Sequence, residues 1–129
     1  MKIEKFEDLI VWQKARVLNK LIYEVTSLKK FSNDFALTNQ IRRSSISVIS
    51  NIAEGFERNG NKEFIQFLYI SKASCAELRS QLYIALDLEY LSIEKFDEIN
   101  SLAIEVSKMT RGLIQSIENS SLKGSKYKT

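Results

Sequence analysis

The side chains best suited to chemistry lie within residues 40–55, which read QIRRSSISVISNIAEG. Two arginines precede a series of hydroxyl and amide side chains there, and the residues that we single out are Arg42, Arg43, Ser47 and Asn51. A guanidinium can bind a phosphate through two parallel hydrogen bonds, and hydroxyl and amide groups add contacts to a nucleic-acid backbone. These four residues are therefore candidates for contact with a nucleic acid or another polar partner.

The same segment also has a structural interpretation. Ser44 and Ser45 would allow two helices to approach closely, and Arg42 could form an ion pair with another subunit. No aromatic side chains alternate with the arginines to stack on bases, as they do in many proteins that bind single-stranded nucleic acid. The sequence thus favours a structural or assembly role over phosphate binding.

No group of residues in the sequence has the composition of a catalytic or metal site. The chain has no histidine, which is the commonest general base. The neighbouring carboxylates Glu54 with Glu57 and Asp97 with Glu98 fit solvated helix faces, and Cys75 lies on an apolar stripe with no histidine to activate it. We therefore expect no enzymatic activity, no cofactor, no metal ion and no small-molecule substrate.

The composition favours a single all-α domain. Of the 129 residues 44% are hydrophobic, none is proline and four are glycine, so little interrupts long helices. No apolar run reaches the length of about 18 residues that a membrane-spanning helix needs, and acidic residues near the N-terminus do not fit a signal peptide. Together with the single cysteine, these features predict a cytoplasmic protein without a membrane partner.

Helical periodicity predicts four long helices, at about residues 7–28, 35–58 and 62–90, and then from the N-cap Ser92 to about Asn119. Their short connections favour an antiparallel up-down-up-down four-helix bundle over residues 1–119. Residues 120–129 lack periodicity and are predicted to be a disordered basic tail. The predicted core stripe of the first helix is Val11, Ala15, Leu18, Ile22 and Val25, and that of the third is Phe64, Phe67, Leu68, Ser71, Cys75, Leu78, Leu82 and Ala85.

The second and third helices carry more apolar residues than one buried stripe requires. On the second helix the remaining arc, which includes Arg43, Ser47 and Asn51, is predicted to face water or a polar partner. A lone bundle would expose the surplus apolar residues, so we predict a homo-oligomer whose interface includes them. The predicted interface residues are Ile46, Ile49, Ile65, Tyr69, Ile70, Ile84 and Leu88.

Charge is distributed unevenly along the chain, although the net charge is only +3. Three of the 19 basic residues, Lys123, Lys126 and Lys128, follow residue 122, so residues 1–122 hold 16 basic and 16 acidic side chains. Basic residues surround the first predicted turn and acidic residues the third, and these turns share one end of an up-and-down bundle. Complementary patches of this kind suit contacts between subunits. The basic residues are Lys29, Lys30, Arg42 and Arg43, and the acidic ones are Asp87, Glu89, Glu94, Asp97 and Glu98.

Four motifs in order, FEDLIVWQKA (6–15), QIRRSSISVISNIAEG (40–55), KEFIQFL (62–68) and SKASCAEL (71–78), give the chain a family resemblance. It resembles the small bacterial four-helix bundle proteins first noticed as products of intervening sequences in 23S ribosomal RNA genes. The resemblance implies an all-α bundle that assembles into a homo-oligomeric ring, typically a pentamer, with no known enzymatic activity. In a related branch, the accessory variability protein of diversity-generating retroelements, a basic ring binds reverse transcriptase and RNA.

The chain departs from the family pattern at three places. Ile49 stands where a proline is usual, Ala73 stands where a glycine is usual, and the turn at residues 31–35 lacks the customary proline and glycine. Without the proline, the second helix should be straighter. Two hypotheses follow: a non-enzymatic homo-oligomeric interaction protein or, as the alternative, an RNA- and reverse-transcriptase-binding accessory protein of a retroelement.

Overall fold

The computed structural model describes residues 2–121, and in that range the chain is helical with no strand. A short 3-10 helix at Phe6–Asp8 precedes α1 (Ile10–Thr26), α2 (Lys29–Ser32), α3 (Phe35–Glu57), α4 (Asn61–Asp87) and α5 (Ile93–Ser121). The predicted all-α bundle of four long helices is therefore confirmed. None of the helices within the described range is long and apolar enough to cross a membrane.

Each long helix packs between two others. The helix α3 lies against α1 and α4, and α5 lies against α4 and α1. Short connections reverse the chain between successive long helices, so neighbours are antiparallel. The predicted core stripe of α1 is buried throughout, and that of α4 is buried except at Phe67, which is partly exposed.

The start of α1 differs from the prediction. Phe6–Asp8 form a 3-10 helix and Leu9 has an extended backbone, so α1 begins at Ile10 rather than near Glu7. The rings of Phe6 and Trp12 lie 5.1 Å apart near the start of α1. The four-residue helix α2 was not predicted, because a single helical turn contains too few residues to show a period.

The helices α1 and α4 end at Thr26 and Asp87, two and three residues before their predicted ends, and α5 begins after the predicted N-cap Ser92. Asp34 caps α3 by accepting a hydrogen bond from the Leu37 amide at 3.0 Å, and Ser92 Oγ accepts one from the Lys95 amide at 3.1 Å. Gly60 separates α3 from α4 with a φ of +103°, which glycine adopts readily. The helix α5 continues to Ser121, two residues beyond the predicted end, and residues 122–129 of the predicted tail lie outside the described residues.

The first and third turns meet at one end of the bundle, as predicted. The Tyr90 hydroxyl donates a hydrogen bond to Asp34 Oδ2 at 2.8 Å, and the Tyr90 ring lies 5.3 Å from that of Phe31. These contacts join the turn after α4 to the turn before α3. The basic and acidic sequence clusters are thereby brought to the same end of the molecule.

Candidate interaction surface

Arg42 lies in the seam between α1 and α3, where it contacts α1. Its Nε donates to Thr26 Oγ1 at 2.8 Å, and its Nη2 donates to Ser27 Oγ at 3.3 Å. Its guanidinium carbon lies 4.3 Å from the centre of the Tyr23 ring, within the range of a cation–π interaction. No carboxylate pairs with Arg42 within residues 2–121, so its positive charge is not neutralised there.

Arg43 is exposed beside Arg42. A shallow groove runs along the seam between α1 and α3, and we call it the basic groove. Lys29 and Lys30, on α2, are exposed at the same end of the bundle. Within the described range none of these lysines and arginines forms an ion pair. The basic groove is lined by Tyr23, Asn39, Arg42, Arg43 and Ile46.

Ser47 and Asn51 lie one and two turns beyond Arg43 on α3, on the part of the helix that approaches α4. The hydroxyls of Ser47 and Ser74 are 2.7 Å apart, and Asn51 Nδ2 donates to the Ser47 carbonyl at 2.8 Å and to its hydroxyl at 3.0 Å. Both side chains are partly exposed, and these hydrogen bonds reduce the polar surface that they offer to a partner. Their polar groups connect α3 to α4 because this arc of α3 faces a neighbouring helix, a fact that periodicity within α3 cannot show.

Small residues let α3 approach both of its neighbours closely. Ser45 Oγ donates to Asn19 Oδ1 of α1 at 2.9 Å, and Ser71 Oγ of α4 donates to the Val48 carbonyl at 2.7 Å. A methyl group added at Gly55 would lie only 2.6 Å from Phe67 Cβ. The predicted structural role is thus confirmed for Ser45 at the seam between α1 and α3, whereas the Ser44 hydroxyl donates to the Gln40 carbonyl of its own helix.

A second surface is the outward side of α4, which we call the outer α4 surface. It exposes large apolar side chains whose exposed fractions lie between 46% and 53%; they are Tyr69, Ile70, Tyr83, Ile84 and Leu88. Ile46 on α3 is 44% exposed. Two other predicted interface residues, Ile49 and Ile65, are partly buried and pack against the core of their own bundle, so they contribute less outward surface than predicted.

Acidic side chains lie at the C-terminal end of this surface. Asp87, Glu89, Glu94 and Asp97 are exposed and form no ion pair within residues 2–121. Glu98 differs, because it pairs with Lys95 at 3.0 Å. The end of the bundle near the first and third turns thus has a basic α1–α3 side and an acidic α4–α5 side.

The residues that could take part in covalent chemistry are dispersed or buried. Cys75 is buried and its Sγ lies 3.2 Å from the Ala103 carbonyl, to which it donates; burial raises its pKa to about 11. Such a thiol remains protonated at neutral pH and is a poor nucleophile. Within the described range no three acidic, histidine or cysteine residues converge as a metal site.

Sequence reasoning missed the residues on α1 that hold Arg42. Tyr23, Thr26 and Ser27 lie within about one turn at the end of α1, and Thr26 is fully buried although it is polar. Their spacing places them on neighbouring faces of one helix, but only the packing of α1 on α3 brings Arg42 to them. No local signal in the sequence contains that information.

Comparisons with known proteins identify the family and support the fold. The sequence model of the family described as 23S rRNA-intervening sequence protein matches residues 7–112. Among solved structures, the chain is similar to a protein of unknown function from the S23 ribosomal protein family of Bacteroides thetaiotaomicron. The TM-score is 0.76 at 24% identity, and the match covers 82% of this chain and 96% of that one.

None of the curated proteins with which the sequence was compared matches it. At 24% identity, the similarity to the solved structure demonstrates a common fold and does not assign a function. The family match is the stronger finding, since it extends from the 3-10 helix into α5 and includes nearly all of the four sequence motifs. The chain belongs to the 23S rRNA-intervening sequence protein family.

Proposed function

We propose that this chain is a non-enzymatic cytoplasmic interaction protein that assembles with copies of itself through the outer α4 surface. The observation that carries the proposal is the set of half-exposed apolar side chains along the outward side of α4, in one group at Tyr69 and Ile70 and another at Tyr83, Ile84 and Leu88. Contiguous exposed apolar surface is unfavourable in water and usually marks an interaction site on a soluble protein. By family resemblance, the assembly is a ring of five subunits.

The outward side of α5 provides a comparison within the same molecule. Beyond its first residue, Ile93, which is 51% exposed, its exposed side chains are polar or charged, and they include Ser101, Glu105, Lys108, Gln115 and Glu118. Both helices pack against two neighbours, yet α4 exposes large apolar side chains along its outward side and α5 exposes one at its N-terminal end. Apolar exposure on α4 is therefore not a general consequence of building a bundle from long helices, and a partner surface accounts for it.

Sedimentation velocity or multi-angle light scattering tests the assembly. The wild-type protein should be a multimer at micromolar concentration, and the double variant Ile70→Asp/Ile84→Asp should dissociate, since two carboxylates would be buried without partners at the interface. Ser101→Asp/Gln115→Asp places the same two charges on the outward side of α5 and should leave the multimer intact. A monomeric wild-type protein would contradict the proposal.

The alternative function, binding RNA together with a reverse transcriptase, rests on the basic groove. Arg42 and Arg43 adjoin there, and neither is neutralised by a carboxylate within residues 2–121. The groove presents fewer hydrogen-bonding side chains to RNA than the sequence suggested. Ser47 and Asn51 form hydrogen bonds near α4, and Arg42 already donates to two hydroxyls of α1 and its C-cap. Self-assembly is thus the better supported function.

A further inference from the structure

We propose that neighbouring copies contact one another through two different surfaces, with the basic groove of one copy receiving the C-terminal end of the outer α4 surface of the next. The residues that enter the groove are Ile84, Asp87 and Leu88. This inference rests on the proposed self-assembly and specifies its geometry. The occupant of the groove is a second copy of this chain.

The apolar parts of the two surfaces can cover one another. In the basic groove, Ile46 and Tyr23 are 44% and 36% exposed, and both line the groove. On α4, Ile84 and Leu88 are each 46% exposed and lie one helical turn apart. Contact between these side chains would remove apolar area from water on both copies.

The charges of the two surfaces are complementary. Arg43 lies in the groove, and Asp87 lies within one turn of Ile84 and Leu88; both are exposed and unpaired within the described range. The flanking residues continue the pattern, with Lys29 and Lys30 on one side and Glu94 and Asp97 on the other. A groove facing another groove would oppose like charges, whereas a groove facing the acidic end of α4 pairs opposite ones.

The position of the two surfaces determines the symmetry of the contact. Both lie at the end where Tyr90 joins the first and third turns, but on different sides of the bundle. Neighbouring copies would therefore stand side by side with corresponding helices pointing the same way. Because each contact uses two different surfaces, a growing assembly has one unoccupied groove at one end and one unoccupied α4 surface at the other. These two surfaces meet when a ring closes. The same contact thus accounts for a ring rather than a two-fold dimer.

Charge exchange tests the pairing. Arg43→Asp and Asp87→Arg should each weaken self-association by at least about tenfold, since each opposes like charges at every contact. The double variant Arg43→Asp/Asp87→Arg should regain most of the lost affinity, because each contact again pairs opposite charges. Lys108→Asp on α5 and Glu57→Arg at the opposite end of α3 are matched controls that should assemble normally. Sedimentation velocity across a concentration series measures association, and circular dichroism verifies that each variant is helical.

A mixing experiment tests the use of two surfaces directly. Arg43→Asp retains an intact α4 surface and Ile70→Asp/Ile84→Asp retains an intact groove, so a mixture should form dimers that do not grow into rings. The inference would be overturned if Arg43→Asp and Asp87→Arg each associated as strongly as the wild-type protein, or if the double charge-exchange variant stayed dissociated. Either result would leave self-assembly itself in place. A monomeric wild-type protein would overturn both.

Discussion

Two glycines inside long helices have contrasting surroundings. At Gly55 in α3, an added Cβ would lie 2.6 Å from Phe67 Cβ of α4, and that atom can move only with the α4 backbone. At Gly112 in α5, nothing lies within 4 Å of such an atom. The first glycine is needed for close helix packing. The second lowers helix stability without a compensating contact.

We predict that alanine substitutions at these glycines have opposite effects. Gly55→Ala should destabilise the fold by about 1–3 kcal/mol through overpacking. Gly112→Ala should stabilise it by about 0.5–1 kcal/mol, because alanine loses less conformational entropy in a helix. Urea unfolding followed by circular dichroism gives both values. Equal effects at the two positions would contradict the close approach of α3 and α4 at Gly55.

Leu78 tests the register of α4. It is fully buried on the predicted core stripe, whereas Glu57 is exposed at the end of α3. Leu78→Ala should cost about 2–5 kcal/mol of unfolding free energy through lost burial and the cavity that remains. Glu57→Ala should change stability by less than about 0.5 kcal/mol. Similar small losses in both variants would show that the outward side of α4 had been misidentified.

At the scale of elements, the contact between Asp34 and Tyr90 makes the bundle end sensitive to pH. The Leu37 amide and then the Tyr90 hydroxyl donate to Asp34 and hold the pKa of its carboxyl below the ordinary range. The folded state therefore binds a proton less readily than the unfolded chain. The resulting stabilisation is complete above about pH 4 and is lost as pH falls through the lowered pKa.

We predict that Asp34→Asn reduces this acid sensitivity. Between pH 5 and about pH 2, the unfolding free energy of the wild-type protein should fall more steeply than that of the variant, while the remaining carboxylates contribute equally to both. Urea unfolding at a series of pH values measures the difference. Parallel curves would show that the carboxylate of Asp34 is not selectively stabilised in the folded state.

Tyr90 gives the same contact an opposite pH dependence. Its hydrogen bond to Asp34 raises the pKa of the phenol, so the folded state retains that proton more strongly. The associated stability is present below about pH 10 and is lost as pH rises through the raised pKa. Tyr90→Phe should remove this alkaline loss and also weaken the acid sensitivity that depends on Asp34. Unfolding curves above about pH 9 separate the two effects.

The sequence predicted those features of the elements that have local causes. Asp34, Gly60 and Ser92 mark helix ends because capping and left-handed backbone are properties of single residues and their close neighbours. The buried stripes of α1 and α4 follow from helical period alone. The short helix α2 and the start of α1, which lie at opposite ends of the bundle, depend instead on tertiary packing, as the contact between Phe31 and Tyr90 illustrates for α2.

The candidate site was predicted less well than the core, and Arg42, Ser47 and Ile65 show why. Periodicity fixes the angle between two residues on one helix but not the direction in which a neighbouring helix lies. Arg42 faces α1, Ser47 faces α4 and Ile65 packs on the core, so residues with similar sequence patterns have different roles. Exposed Arg43 and the apolar side chains on α4 remain as candidates because no neighbour in the bundle covers them.

At the scale of the whole molecule, charge distribution decides how RNA binding can be tested. The excess positive charge of the chain is carried by Lys123, Lys126 and Lys128, while residues 1–122 are neutral overall. Nonspecific attraction of RNA to these lysines would weaken with salt just as binding in the basic groove would. Salt dependence by itself therefore does not locate a site, and removal of residues 122–129 is the necessary control.

If the basic groove binds single-stranded RNA, Arg43→Ala should lower the affinity and reduce the slope of log affinity against log salt by about 0.7, the value for one lost phosphate contact. Ser47→Ala should leave both unchanged, because its hydroxyl faces Ser74 rather than solvent. Fluorescence anisotropy between about 50 and 200 mM salt measures the slope, at protein concentrations where light scattering shows an unchanged multimer.

Binding that disappears when residues 122–129 are removed would belong to those residues, and binding that survives their removal but is lost with Arg43→Ala would place RNA in the groove. A wild-type protein that binds no RNA at low salt would rule out the retroelement function and leave the groove to a second copy of the chain.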